Sequence, residues 1–143
     1  MRRETLATET ILEKLKTLEQ SVYYLRDFKE KHTLSEVLKD KTLEWAVRYG
    51  LFESSQIVID VACALSAEFN LGNPKSYKEC IELLETHNYI GKSVASELIK
   101  VAGLRNLLVH EYIKINIEKL FNLLGGLWVF TKFIEQIRRT LNA

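Results

Sequence analysis

A single proline and six glycines punctuate 143 residues. That scarcity excludes collagen-like and low-complexity chains and leaves few breakers, so long elements, and long helices in particular, are expected. Cysteine is equally scarce. Cys63 and Cys80 both lie in strongly helical sequence, and two thiols without a secretory context make no disulfide framework, so both are expected to be reduced core thiols. An excess of one charge is missing as well: 20 basic against 19 acidic side chains leave a formal net charge of +1. No global field advertises a polyanionic partner, and any contact with nucleic acid must come from a local patch. No stretch approaches 18 uncharged apolar residues, so no membrane crossing is expected. Met1-Arg2-Arg3 is followed by Glu4, Glu9 and Glu13 before any apolar run long enough for a signal peptide, which makes a cytoplasmic location the default expectation.

What is present is core-forming material. Apolar types make up 47% of the chain, far above the disordered range, and the length suits one domain spanning residues 1–143. From about residue 4 to 30, Leu12, Leu15, Leu18, Val22, Leu25 and Phe28 recur at steps of three and four, the stripe of an amphipathic helix. Thr33-Leu34-Ser35-Glu36 reads as a capping box opening a second helix, which continues to about Phe69 with a break near Asp40. Asn70 through Pro74 reverse the chain, and Ser76-Tyr77-Lys78-Glu79 repeats the capping signature before a short helix ending near His87. A fourth runs from about Ser93 toward Leu108, and the last starts at the N-cap Asn116 and carries apolar positions to Ile137. Period-two alternation never competes, so the predicted fold is all-α, an antiparallel bundle of about five helices. Gly125-Gly126 inside the last helix suggests a close helix approach, because each glycine there costs about 1 kcal/mol relative to alanine. Tyr23, Tyr24, Trp45 and Trp128 are candidates for a subunit interface.

No paired histidines at helical spacing, Cys-X-X-Cys or His-Glu-X-X-His occurs, so there is no argument for a metal. A Gly-rich phosphate loop and a Gly-X-Ser-X-Gly elbow are also missing, which removes the common nucleotide-hydrolase and esterase readings. One segment stands apart: Gly103-Leu104-Arg105-Asn106-Leu107-Leu108-Val109-His110-Glu111-Tyr112 gathers Arg, Asn, His and Tyr around an apolar triplet at a helix junction. On an unbroken helix Arg105 and His110 would point about 140° apart, so helical geometry must end near Val109 for them to meet.

Arg105-X4-His110-X-Tyr112 resembles the Arg-X4-His-X-Tyr motif of the HepT toxins, which are HEPN-domain ribonucleases. The string from Arg105 to Tyr112, Pro74-Lys75-Ser76-Tyr77 before a helix and the helix of Asp60 all resemble that family's layout, over about residues 4 to 140. The resemblance implies a metal-independent endoribonuclease toxin that needs no cofactor. It also implies a homodimer with its motifs facing across a two-fold cleft, an RNA substrate, and a partner, the MntA-type nucleotidyltransferase antitoxin, which transfers AMP to the tyrosine matching Tyr112. The residues suit that chemistry. An imidazole is the side chain best suited to take and give protons in such a step, which fits His110, and the planar donors of Arg105 fit a phosphorane. Asn106 and Tyr112 are supporting candidates, and Lys92, Lys100, Lys114 and Lys119 are candidates for a phosphate-steering rim. Other roles stay open: Arg105 as a helix C-terminal cap, His110 as a loop residue on a carbonyl, Tyr112 as a half-buried core tyrosine, Asn106 on local backbone. A HEPN module that binds without cleaving and a plain helical scaffold are the competing functions.

Overall fold

The structure is a computed structural model, which describes residues 2–110 and 114–142. The described residues form helices α1 (Arg2–Lys31), α2 (Leu34–Lys39), α3 (Lys41–Glu68), α4 (Tyr77–Thr86), α5 (Lys92–Val109), α6 (Ile117–Asn122) and α7 (Trp128–Leu141), with no strand among them. The all-α expectation holds, while two of the expected helices are each cut in two. The second divides at Asp40, as anticipated, where the Asp40 carboxylate accepts the Thr42 N–H at 2.9 Å and opens α3. The last divides at Leu123–Gly126, which winds as a 3₁₀ turn between α6 and α7. That division corrects the expectation for Gly125-Gly126. A Cβ at either position would meet no atom within 4 Å, so the pair loosens the winding where two short helices join and marks no close approach.

Local signals position the rest. Thr33 and Glu36 close a full capping box. Ser76 forms half of one: its hydroxyl accepts the Glu79 N–H, but the Glu79 carboxylate reaches back one residue further, to the Lys75 N–H. After α3 and α4 the left-handed conformation falls on Asn70 and Asn88, the side chain best able to tolerate it after glycine, and Leu71 and Tyr89 bond back to Ser66 and Leu84.

The core lies between α1, α3, α4, α5 and α7. Along α1 the buried line is Ile11, Leu15, Leu18, Val22 and Leu25, with Leu12 and Phe28 at its edge. From α7 come Phe130, Phe133, Ile134 and Ile137. Helices α1 and α3 approach closely at Gly50, where a Cβ would lie 2.6 Å from Leu25 Cδ2. A buried hydroxyl pair, Ser21 and Ser54 at 2.8 Å, joins the same two helices. Helix α3 is long and apolar enough by length and composition to cross a membrane, yet half of that window is buried inside the bundle.

The cysteine expectation is also corrected. Cys63 of α3 and Cys80 of α4 are joined as a disulfide with their Cα atoms 5.1 Å apart. The turn at residues 70–76 folds α4 back along α3, which brings two thiols that look unrelated in sequence to the same interface.

Candidate active site

Helix α5 packs Val94, Ala95, Leu98 and Ala102 into the core at helical spacing, and beyond Ala102 none of its residues is buried. Its last two turns therefore belong to the surface. Arg105 and Asn106 lie there, and the helix ends at Val109, as the motif required. His110 is the C-cap, with φ −85° and ψ 91°, and its backbone N–H donates to the Leu107 carbonyl at 3.2 Å. The imidazole is carried on an exposed residue at the point where the chain departs from helical geometry. Tyr112 and Glu111 lie outside the described residues.

Arg105 is held by three helices. Its Nε–H donates to Gln56 Oε1 on α3 at 2.7 Å, its Nη1 donates to Asn106 Oδ1 at 3.1 Å, and its guanidinium carbon sits 5.2 Å from the ring centroid of Tyr77 on α4. Gln56 is fixed in turn, since its Nε2 donates to Asp60 Oδ1 at 2.8 Å. An amide has one accepting and one donating end, so an acceptor-only carboxylate at Asp60 forces the Gln56 carbonyl toward Arg105. Two donor nitrogens, Nε and Nη1, and one face of the guanidinium are thereby engaged. A guanidinium held in this way has little further side-chain freedom to lose on meeting an anion. Asn106 accepts from Arg105 on its own helix, and Arg105 also bonds across to α3.

Gln56 and Tyr77 contact Arg105, and Asp60 contacts Gln56, although the motif string contains none of the three. A signal existed in the i, i+4 pair of polar side chains, Gln56 and Asp60, interrupting the apolar run of α3. Of the expected lysine rim, Lys100 pairs with Glu97 on its own helix at 3.2 Å. Lys75 and Lys78 also approach Arg105's surroundings. They line a groove of about 490 Å³ with Ser76, Tyr77, Ile99, Ala102, Gly103 and Asn106. Gly103 lies in the helix interior at a cost of about 1 kcal/mol relative to alanine, and a Cβ there would meet no atom within 4 Å.

A second groove, of about 740 Å³, opens beside the end of α5 between Leu108, Val109 and the α3 side chains Lys41, Trp45, Arg48, Tyr49 and Phe52. Its rim is ordered by Glu44, which receives Lys41 Nζ at 2.9 Å and Arg48 Nη1 at 3.2 Å. Burial pushes the Glu44 carboxyl up, but these two cations outweigh it and hold the group below the usual carboxylate range. Tyr23, Tyr24, Trp45 and Tyr49 are each 61–68% exposed, an unusual concentration of aromatic surface on α1 and α3. Among the described residues no group of three His, Cys, Asp or Glu side chains is arranged to hold a metal ion.

Comparison with known proteins gives a consistent set of likenesses. Residues 11–137 match the ribonuclease HepT-like family. The chain is 30% identical over 105 residues to the mRNA nuclease HepT of Shewanella oneidensis, which spans 73% of this chain and 79% of that one. A toxin–antitoxin crystal structure with AMP-PNP superposes with a TM-score of 0.83 at 26% identity, covering 92% of this chain and 98% of the other. The tri-AMPylated HEPN toxin of Shewanella oneidensis in complex with MNT antitoxin superposes with a TM-score of 0.81 at 27% identity, covering 90% and 96%.

Proposed function

The chain belongs to the ribonuclease HepT-like family, and from that membership we propose that it is the endoribonuclease toxin of a HepT/MntA-type toxin–antitoxin pair, acting on RNA in the cytoplasm. The observation that carries the reading is the clamp on Arg105, one turn before the helix breaks at His110. A guanidinium held by Gln56, Asn106 and Tyr77 is worth its ordering cost where charge develops on a phosphoryl group.

The reaction we assign is metal-independent transesterification. His110 takes or delivers the proton, the 2′-oxygen attacks the adjacent phosphorus, and Arg105 stabilises the pentacoordinate phosphorane with its positive charge and the N–H groups its protein partners leave available. The 5′-oxygen leaves protonated, giving a 2′,3′-cyclic phosphate and a 5′-hydroxyl. One imidazole cannot act as base and acid in the same step, so a homodimer bringing two His110 side chains to one cleft completes the site. The exposed aromatics of α1 and α3 are apolar surface suited to such an interface. Tyr112 is the proposed acceptor of AMP from the MntA-type antitoxin. An adenylyl phosphate there adds negative charge and bulk two residues from the imidazole, which opposes RNA binding.

The test is cleavage of RNA by the purified chain in EDTA, compared with His110→Ala and Arg105→Ala. Wild-type cleavage with both variants inactive is expected, and full activity in either variant, or a strict Mg²⁺ requirement, overturns the mechanism. Intact mass before and after incubation with the antitoxin and ATP, repeated with Tyr112→Phe, tests the modification.

A further inference from the structure

We propose that the groove between the start of α4 and the middle of α5 is a subsite for the RNA strand beside the scissile linkage, with Lys75 and Lys78 on flanking phosphates and Gly103 as the point of close backbone approach. The inference rests on the nuclease reading and extends it from the reacting phosphate to its neighbours. Three observations converge. The groove is joined to the proposed centre through shared residues, because Tyr77 and Asn106 line it and both also contact Arg105. A strand leaving the guanidinium in this direction enters the groove without crossing the bundle. The charge is complementary: the lining contains two lysines and no carboxylate, in a chain whose overall charge is nearly neutral. The favourable field is therefore local, as single-strand recognition by a balanced protein requires.

Gly103 supplies the third. A helix-interior glycine normally has an internal cause, as Gly50 does where Leu25 crowds it. Gly103 has none: the side it would fill faces the open groove, with no protein atom within 4 Å. Alanine would favour the helix and fit the space. A bare surface at that point is useful to a molecule from outside that must lie flat against α5, and a sugar–phosphate backbone reaching Lys75 and Lys78 past Arg105 is such a molecule.

The experiment compares two synthetic RNAs sharing one cleaved linkage, a dinucleotide and a hexanucleotide extended on both sides. They are cut by the wild type, by the double variant Lys75→Ala/Lys78→Ala, and by Gly103→Leu, which occupies the groove with a good helix former. For the hexanucleotide, the lysine variant is expected to raise KM about tenfold and to flatten the slope of log kcat/KM against log salt by about 1.4, roughly 0.7 per lost phosphate contact on a single strand. Gly103→Leu is expected to lose the same advantage of the longer substrate with no fall in Tm. For the dinucleotide, which does not reach the groove, all three proteins should cut alike. Equal hexanucleotide kinetics in wild type and both variants overturns the subsite while leaving the nuclease standing. So does normal RNA cleavage accompanied by lost binding to the nucleotidyltransferase antitoxin, which would make the groove a protein-docking face. A wild type that cuts neither RNA overturns the nuclease reading and the subsite with it.

Discussion

The side-chain carbonyl of Gln56 accepts the Nε–H of Arg105 at 2.7 Å, a bond across 49 positions of sequence that ties α3 to the last turns of α5. Asp60 fixes the amide's orientation from behind, so the direction of the guanidinium is set by a carboxylate that does not touch it. Gln56 and Asp60 are positioning residues in this arrangement. Gln56→Ala is expected to lower kcat for RNA about 10- to 100-fold with little change in KM, the signature of a group misplaced for the transition state. Asp60→Asn is expected to fall between, because an asparagine permits both orientations of the Gln56 amide. Steady-state kinetics with Tm measured in parallel separates misaiming from unfolding.

Arg105→Lys retains the charge and loses three things: the Nε–H bond to Gln56, the planar face against Tyr77, and the paired donors. A point-charge ammonium on a flexible stem is expected to restore little, with kcat about 100-fold below wild type. Equal rates for Arg105→Lys and wild type under single-turnover conditions would show that charge alone suffices.

Glu44 links acid stability to the rim of the larger groove. Its folded pKa lies below the ordinary value because Lys41 and Arg48 outweigh the effect of burial. A group depressed on folding contributes stability that is present above its unfolded pKa, near 4.3, and is lost as pH falls through the folded value. Glu44→Gln is therefore expected to be less stable than wild type at pH 7, with the difference shrinking below about pH 4. Urea melts of both proteins across pH 3–7 measure the convergence.

The Cys63–Cys80 bond predicts a redox dependence of stability. A cross-link between residues 17 apart stabilises by about 3 kcal/mol in the chain-entropy description, or roughly 10 °C in Tm for a domain of this size. Thermal melts with and without dithiothreitol should differ by that amount, and Cys63→Ser should melt with the reduced protein under either condition. Identical melts would mean that the thiols are unpaired in solution.

Much of this architecture was legible from local chemistry. The Thr33 box, the Asp40 break and the Asn116 cap each satisfy backbone donors within three residues, so sequence distance and spatial distance coincide. The end of α5 near Val109 was a condition rather than a capping signal: Arg105 and His110 cannot share one face of a continuous helix. What escaped depends on packing between helices. Gln56 sits opposite Arg105 because α3 and α5 run antiparallel, and no property of residue 56 alone announces it. Cys63 met Cys80 because α4 packs against α3. Gly125-Gly126 misled because glycine signals either a close neighbour or a relaxed backbone, and only the positions of surrounding atoms distinguish them. Lys75 and Lys78 were passed over because they lie about 30 positions from the motif they flank in space.

The grip on Arg105 by α3, α4 and its own helix makes the motif a property of the entire bundle. A peptide carrying residues 103–112 would keep every letter of the string and lose the direction of its cation. Transplanting those ten residues onto another helical scaffold should yield no nuclease unless counterparts of Gln56, Asp60 and Tyr77 travel with them, and a search for ribonucleases by this string alone will count chains that cannot aim it.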